Sequence, residues 1–150
     1  MLYMLLCIRM EVIKKQHNVY IVKINRTEDF LKTLTSFCEG KDIHAAYLTA
    51  IGACNKLTLA WYNLETKSYE DHDYNEDLEI ASLIGNVSLV KGKPFIHAHG
   101  VFGKQDMSTI GGHIRSIVIS AACEVRLEVF EGTINREFDS VTGLNLMVCG

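Results

Sequence analysis

Along most of this chain apolar and polar residues alternate at a period of two, and only one stretch carries them at helical spacing. Val19 to Ile24 reads as a first strand. Thr27 reads as an N-cap with Glu28 and Asp29 in the first turn, where carboxylates favour the helix dipole. Phe30, Leu31, Leu34, Phe37 and Cys38 then form one apolar stripe, and Gly40 ends it. The spacing predicts one main helix whose aromatic stripe packs on a sheet. After it, Ile43 to Cys54 is a buried apolar run interrupted at Gly52, and Leu57, Leu59 and Trp61 alternate with Lys56, Thr58 and Ala60 as a strand with one wet face.

Between Glu65 and Glu79 stand seven acidic residues against the single base Lys67, a composition that predicts a solvated loop or hairpin tip. Leu78 to Ile84 is the next expected strand, with Gly85-Asn86 as a break before Val87 to Val90. Pro94, the only proline, suits a strand entrance, where a missing donor does least harm. Ile114 to Ala122 is apolar. Cys123, Val125, Leu127 and Val129 alternate with Glu124, Arg126 and Glu128, and Leu144 to Cys149 supplies a last strand after the Thr142-Gly143 turn. Seven or more short strands around one helix, without regular βαβ alternation, predict an α+β fold: a mostly antiparallel sheet with one main helix in a single domain.

Length and composition agree, since 150 residues at 48% hydrophobic and 22% charged suffice for one core. The expected division is an N-terminal extension over residues 1–18 and a domain over 19–150. The apolar start MLYMLLCIRM is shorter than the ~20 residues a spanning helix needs and lacks the features of a secretory signal. No membrane association is expected, and the first nine residues read as an over-extended start of translation before Met10. The five cysteines are widely spaced without a CxxC, which fits free buried thiols in a reducing cytoplasm. A net charge of −3, with no basic cluster longer than Lys14-Lys15, predicts weak or no direct binding of duplex DNA by the isolated chain.

The candidate chemistry lies in PFIHAHGVFGKQDMSTIGGHIR, from Pro94 to Arg115. On a strand His97 and His99 point to the same side. Gly103-Lys104-Gln105-Asp106 is a turn composition, and folding back there brings Gly111, Gly112 and His113 towards them. The Gly-Gly pair removes side chains where backbone or ligand approaches closely and permits a bulge that re-aims His113. Three neutral imidazoles on a hairpin are a facial ligand set for zinc or another divalent transition metal, with a position left open. The competing reading makes them structural histidines hydrogen-bonded to neighbours. Metal occupancy is expected to fall as the pH drops through roughly 6.

LTAIGA (Leu48 to Ala53), LEIASLIGNV (Leu78 to Val87), PFIHAHGVFG (Pro94 to Gly103), GGHI (Gly111 to Ile114) and Cys123-Glu124-Val125 occur in an order and spacing that resembles the PPC domain family, shared by plants and prokaryotes. The resemblance spans most of the chain from about Val19 onward. It implies an α/β-type domain assembled as a homotrimer, with His97, His99 and His113 matching a metal-binding cluster of prokaryotic-type members and no reaction assigned. On family position alone, Glu79 is the candidate catalytic base or supporting carboxylate. Plant relatives carry the domain after AT-hook motifs that bind DNA; this chain has no such hook, and Glu76-Asp77 stand where the plant GRFEIL stretch has Gly-Arg. The resemblance leaves two functional expectations: a three-histidine metalloprotein, or a DNA-associated regulatory and oligomerisation module acting through protein partners.

Overall fold

The structure is a computed structural model that describes residues 10–150; the reading of the first nine residues as an over-extended start lies outside the described residues. Its elements are β1 (Met10–Gln16), β2 (Val19–Asn25), α1 (Phe30–Gly40), β3 (Ala46–Asn63), β4 (Ser68–Tyr74), β5 (Leu78–Val90), β6 (Lys93–Gly103), β7 (Thr109–Val129), β8 (Asn135–Asp139) and β9 (Leu144–Met147). All nine described strands join one sheet in the order β1-β2-β7-β3-β5-β8-β9, with β4 on β3 and β6 bridging β5 and β7. The pairings β3–β5, β5–β6, β6–β7 and β7–β3 therefore close a ring. All pairings are antiparallel except β5–β8, so the sheet is mostly antiparallel as expected, with one short parallel pairing that makes it mixed.

Inside this sheet alternation decides burial. Phe102, Leu83, Ile117, Leu57 and Leu127 are among the fully buried side chains, and the same core takes one face of α1 through Phe30, Leu34 and Cys38. These three helical residues recur every four positions, which puts them on one stripe. The helix cap is Asp29, whose carboxylate accepts from Lys32 N at 2.9 Å, and not Thr27. Thr27 has φ 72° and donates its N–H to Ile119 O at 2.8 Å, so it is held in the preceding turn, and no acidic residue stands in the first helical turn.

The chain builds longer strands than its punctuation predicts. β3 runs through Gly52, and β5 runs through Gly85-Asn86. Gly85 marks close packing instead of a break: a Cβ there would lie 2.7 Å from the His97 carbonyl oxygen and 3.0 Å from Ala98 Cβ. Its bareness lets β6, the strand with two of the histidines, lie flat on β5. The acidic run is a loop only in part, with Glu65 in the β3–β4 turn and Glu76 and Asp77 between β4 and β5. Ser68–Tyr74 forms β4, a strand on the rim of the sheet hydrogen-bonded to β3, and its charged side chains are paired to neighbours: Asp73 to Thr58, Glu70 to Asn63 and Asp71 to Arg115. Charge on a strand that is open on one side deters further pairing. Met10–Gln16, expected inside an N-terminal extension, forms β1 paired with β2, and β8 was not anticipated at all. Among the described residues no helix is long and apolar enough to cross a membrane.

Candidate metal centre

The hairpin of β6 and β7 places the three histidines. Its turn closes where Lys104 N donates to Ser108 O at 2.8 Å and Asp106 takes the Ser108 hydroxyl and N–H. From there the register runs Gly103↔Thr109, Phe102↔Ile110, Val101↔Gly111, Gly100↔Gly112 and His99↔His113. His113 therefore stands directly across from His99, and His97 follows two residues along β6 on the same face. The expected bulge is present but falls beyond His113: opposite β3 the pairing steps from Thr58↔Ser116 to Leu59↔Ile114, so Arg115 is the extra residue. The two glycines remain in regular strand and serve close approach.

The rings converge. Their centroids lie 5.0 Å (His97–His99), 5.2 Å (His97–His113) and 5.3 Å (His99–His113) apart, and one ligand atom from each falls within 4.8 Å of the others. The Nε2 atoms of His97 and His99 are 3.1 Å apart. Zinc–nitrogen bonds of 2.0–2.1 Å place tetrahedral ligands roughly 3.4 Å from one another, so the 3.1 Å between His97 and His99 suits one ion, while the group as a whole spans up to 4.8 Å. His17 in the β1–β2 turn, His44 beside Asp42, and His72 on β4 opposite Leu59 are not part of the group.

The surroundings favour neutral imidazoles. Burial, then the Arg136 charge, then His99 hold His97 below the ordinary histidine pKa. Burial followed by the charges of His97, His99 and Arg115 brings His113 down to about 4, with Asp71 opposing. A neutral ring offers a lone pair, which a metal requires. Arg136 only donates, so the Nδ1 of His97, 3.4 Å from Arg136 Nη2, accepts, and the His97 proton sits on Nε2 facing His99. The Tyr69 ring stacks on His113 at 4.7 Å, and the Arg115 guanidinium lies over that same tyrosine ring, 5.1 Å from its centroid. The histidines, Tyr69, Trp61 and Arg136 line a cavity of about 740 Å³.

A pH dependence follows from these shifts. Protonation of His97 and His113 is displaced downward, so a metal held by these rings would be lost mainly below the pH of roughly 6 that free histidine predicts. Elemental analysis after dialysis across that pH checks it, and a site already emptied at pH 6 contradicts it. In metal-free protein His113 has a folded pKa below its unfolded value, so its contribution to stability is complete above about 6.5 and is lost as the pH falls towards 4.

Glu79 is not brought to the histidines. It is exposed on β5 opposite Gly103 and Ala53, five residues from Ile84, the partner of His99, or about 17 Å along the strand at the usual rise. It lines a separate hollow with Ile51, Gly52, Ala122 and Glu124. The carboxylate whose charge reaches His113 is Asp71, 3.5 Å from Arg115 Nε. Asp71, Tyr69 and Arg136 escaped the sequence reading because they sit on β4 and β8, two strands whose polar composition hides them. The spacing of two between Tyr69, Asp71 and Asp73, which puts all three on one strand face, was the available signal.

The model of the Plants and Prokaryotes Conserved (PCC) domain matches residues 12–131. Among solved structures, a Bacteroides thetaiotaomicron protein provisionally named as DNA-binding is 34% identical, with a TM-score of 0.90 over 93% of this chain and 97% of that one. A metal-containing protein of Archaeoglobus fulgidus is 36% identical, with a TM-score of 0.82 over 93% and 96%. A plant- and prokaryote-conserved protein of Pyrococcus horikoshii is 29% identical, with a TM-score of 0.83 over 88% and 92%. No curated protein matches the chain.

Proposed function

We propose, from the premise that this chain belongs to the Plants and Prokaryotes Conserved domain family, that it is a metalloprotein in which His97, His99 and His113 hold zinc or another divalent transition metal beside a ligand cavity. The observation that carries this reading is the convergence of three imidazoles, two of them kept neutral by their surroundings, on the wall of that cavity. The likeness to the metal-containing Archaeoglobus protein supports it. Such an ion supplies Lewis acidity to whatever enters the open side. The chain orients the rings: His99 and His113 through their shared register, and His97 through its pairing with Asn86. Elemental analysis of protein purified without added metal and without a His tag tests the reading. About one ion per chain is expected, and metal-free protein that cannot be loaded with zinc contradicts it.

A homotrimer is the assembly we propose. Ile51, Ile84 and Val101 are 56%, 59% and 44% exposed on the neighbouring strands β3, β5 and β6, an apolar surface of the kind that oligomers cover. The trimer number rests on the family resemblance. Light scattering is expected to give three chains per particle, and a stable monomer at micromolar concentration removes the proposal. The four cysteines of the described chain are free, three of them buried, which supports a cytoplasmic setting.

The second reading, a DNA-associated module acting through partner binding, draws on the provisional name of the Bacteroides relative. The net charge of −3 speaks against direct DNA contact. A titration with duplex DNA at physiological salt separates the two: weak or no binding fits the metalloprotein, and tight salt-sensitive binding fits the module.

A further inference from the structure

Among the described residues Arg136 is a cation without a counter-ion. Its Nε donates to Ser88 Oγ at 2.7 Å, its Nη1 to Asn145 O at 3.0 Å, and its Nη2 to Asn86 Oδ1 at 3.0 Å, with His97 Nδ1 a further 3.4 Å contact. Every one of these partners is neutral, and among the described residues no carboxylate pairs with it. Ser88 is fully buried, and the guanidinium lies 5.5 Å over the Phe95 ring, so the fork is oriented from several sides. Arg115, the other arginine of the cavity, is by contrast paired to Asp71. Holding a half-buried charge in place with neutral groups alone costs stability that an ion pair would offset. The arrangement is that of a site waiting for an anion.

We infer that Arg136 is the anion-binding residue of the cavity and that the ligand is a small organic carboxylate whose apolar body lies against Phe95, Trp61 and Leu146 while its charged end lies between Arg136 and the histidines. This rests on the proposed metal-centre reading and names the ligand class of that same site. A guanidinium fork matches a carboxylate in geometry as well as charge. Of its five N–H groups the four contacts leave one free. A second is released when His97 gives its Nε2 lone pair to a metal, because the ring proton then resides on Nδ1, which stops accepting from Arg136. Carboxylate affinity is therefore expected to rise when zinc is loaded. Walls of tryptophan, phenylalanine and leucine favour an organic acid over a fully hydrated inorganic anion.

The test is an NMR titration of the full-length protein with butyrate, acetate and inorganic phosphate, each with the zinc-loaded and the metal-free form. Wild type is expected to bind butyrate more tightly than acetate or phosphate. Arg136→Gln is expected to lose at least tenfold in butyrate affinity in both forms, and Arg136→Lys, which keeps the charge and loses the fork, to fall between. Arg115→Gln is expected to change it less than threefold. Zinc content and melting temperature of each variant establish that it is folded, and if Arg136→Gln does not fold, Arg136→Lys carries the comparison. Undiminished butyrate affinity in the folded variants overturns the inference, and tighter binding of phosphate than of either carboxylate overturns the ligand class. Failure of the metal reading has a different signature: zinc does not load, yet the arginine dependence persists in the metal-free protein.

Discussion

Replacing His97, His99 or His113 by alanine is expected to lower zinc affinity by on the order of a hundredfold or more, while replacing His17, His44 or His72 leaves it unchanged. Loss of a residue that merely orients a ligand already costs 10–100-fold in metal proteins, and these variants lose a ligand itself. Only the first three rings meet, with centroids 5.0–5.3 Å apart. His97 and His113 are half-buried, and replacing His99 removes a charge that lowers the pKa of both, while replacing His97 removes one that lowers that of His113. The metal-free alanine variants should therefore fold without penalty from the cluster itself. Competition with a chromophoric chelator reads the affinity. Equal zinc content in wild type and all three variants ends the metal proposal and leaves the histidines a structural role.

A second large effect is expected at a residue that touches no metal. Gly111 lies opposite Val101, and a Cβ built on it would stand 2.9 Å from the carbonyl oxygen of Gly100. That oxygen belongs to backbone and cannot turn aside as a flexible side chain would. Gly111→Val must therefore open the β6–β7 pairing just where His99 faces His113. Overpacking of this kind costs about 1–3 kcal/mol, or roughly 2–12 °C in melting temperature for a chain of this size. Zinc binding is expected to fall alongside, with all three histidines still in place. Gly103→Ala is the control in the same hairpin, since its Cβ would meet nothing closer than Glu79 Cβ at 3.8 Å. A Gly111→Val protein that binds zinc like wild type would show that this close approach does not hold the register.

The legible parts of this protein were those written in local pattern. The helix was visible because Phe30, Leu34 and Cys38 repeat at the spacing of one helical face, although its cap was misplaced by two residues: Thr27 and Asp29 are both good capping side chains, and only the contact of Thr27 with Ile119 takes it out of contention. The hairpin was visible because a turn composition separates two apolar strands, and strand parity alone put His97 and His99 on one side. Glycine misled in both directions. Gly85 looks like a break and is a point of strand contact, because the difference lies in whether a neighbouring backbone comes within 3 Å, and that neighbour is supplied by the fold.

Amino-acid order by itself determined the single helix, the period-two strands and the gathering of three histidines on one hairpin, since each depends on spacings of a few residues that backbone geometry converts directly into faces and turns. Tertiary structure alone decided what stands around those histidines. Tyr69 and Asp71 reach His113 because β4 pairs with β3, and Arg136 reaches His97 because β8 runs parallel to the end of β5, with Val90 and Arg136 in register. Arg136 is 39 residues from His97 in the chain and 3.4 Å from it in space. Contacts at such separations depend on how strands order themselves in the sheet, and that order follows from burying the whole core at once, which no local window of sequence contains.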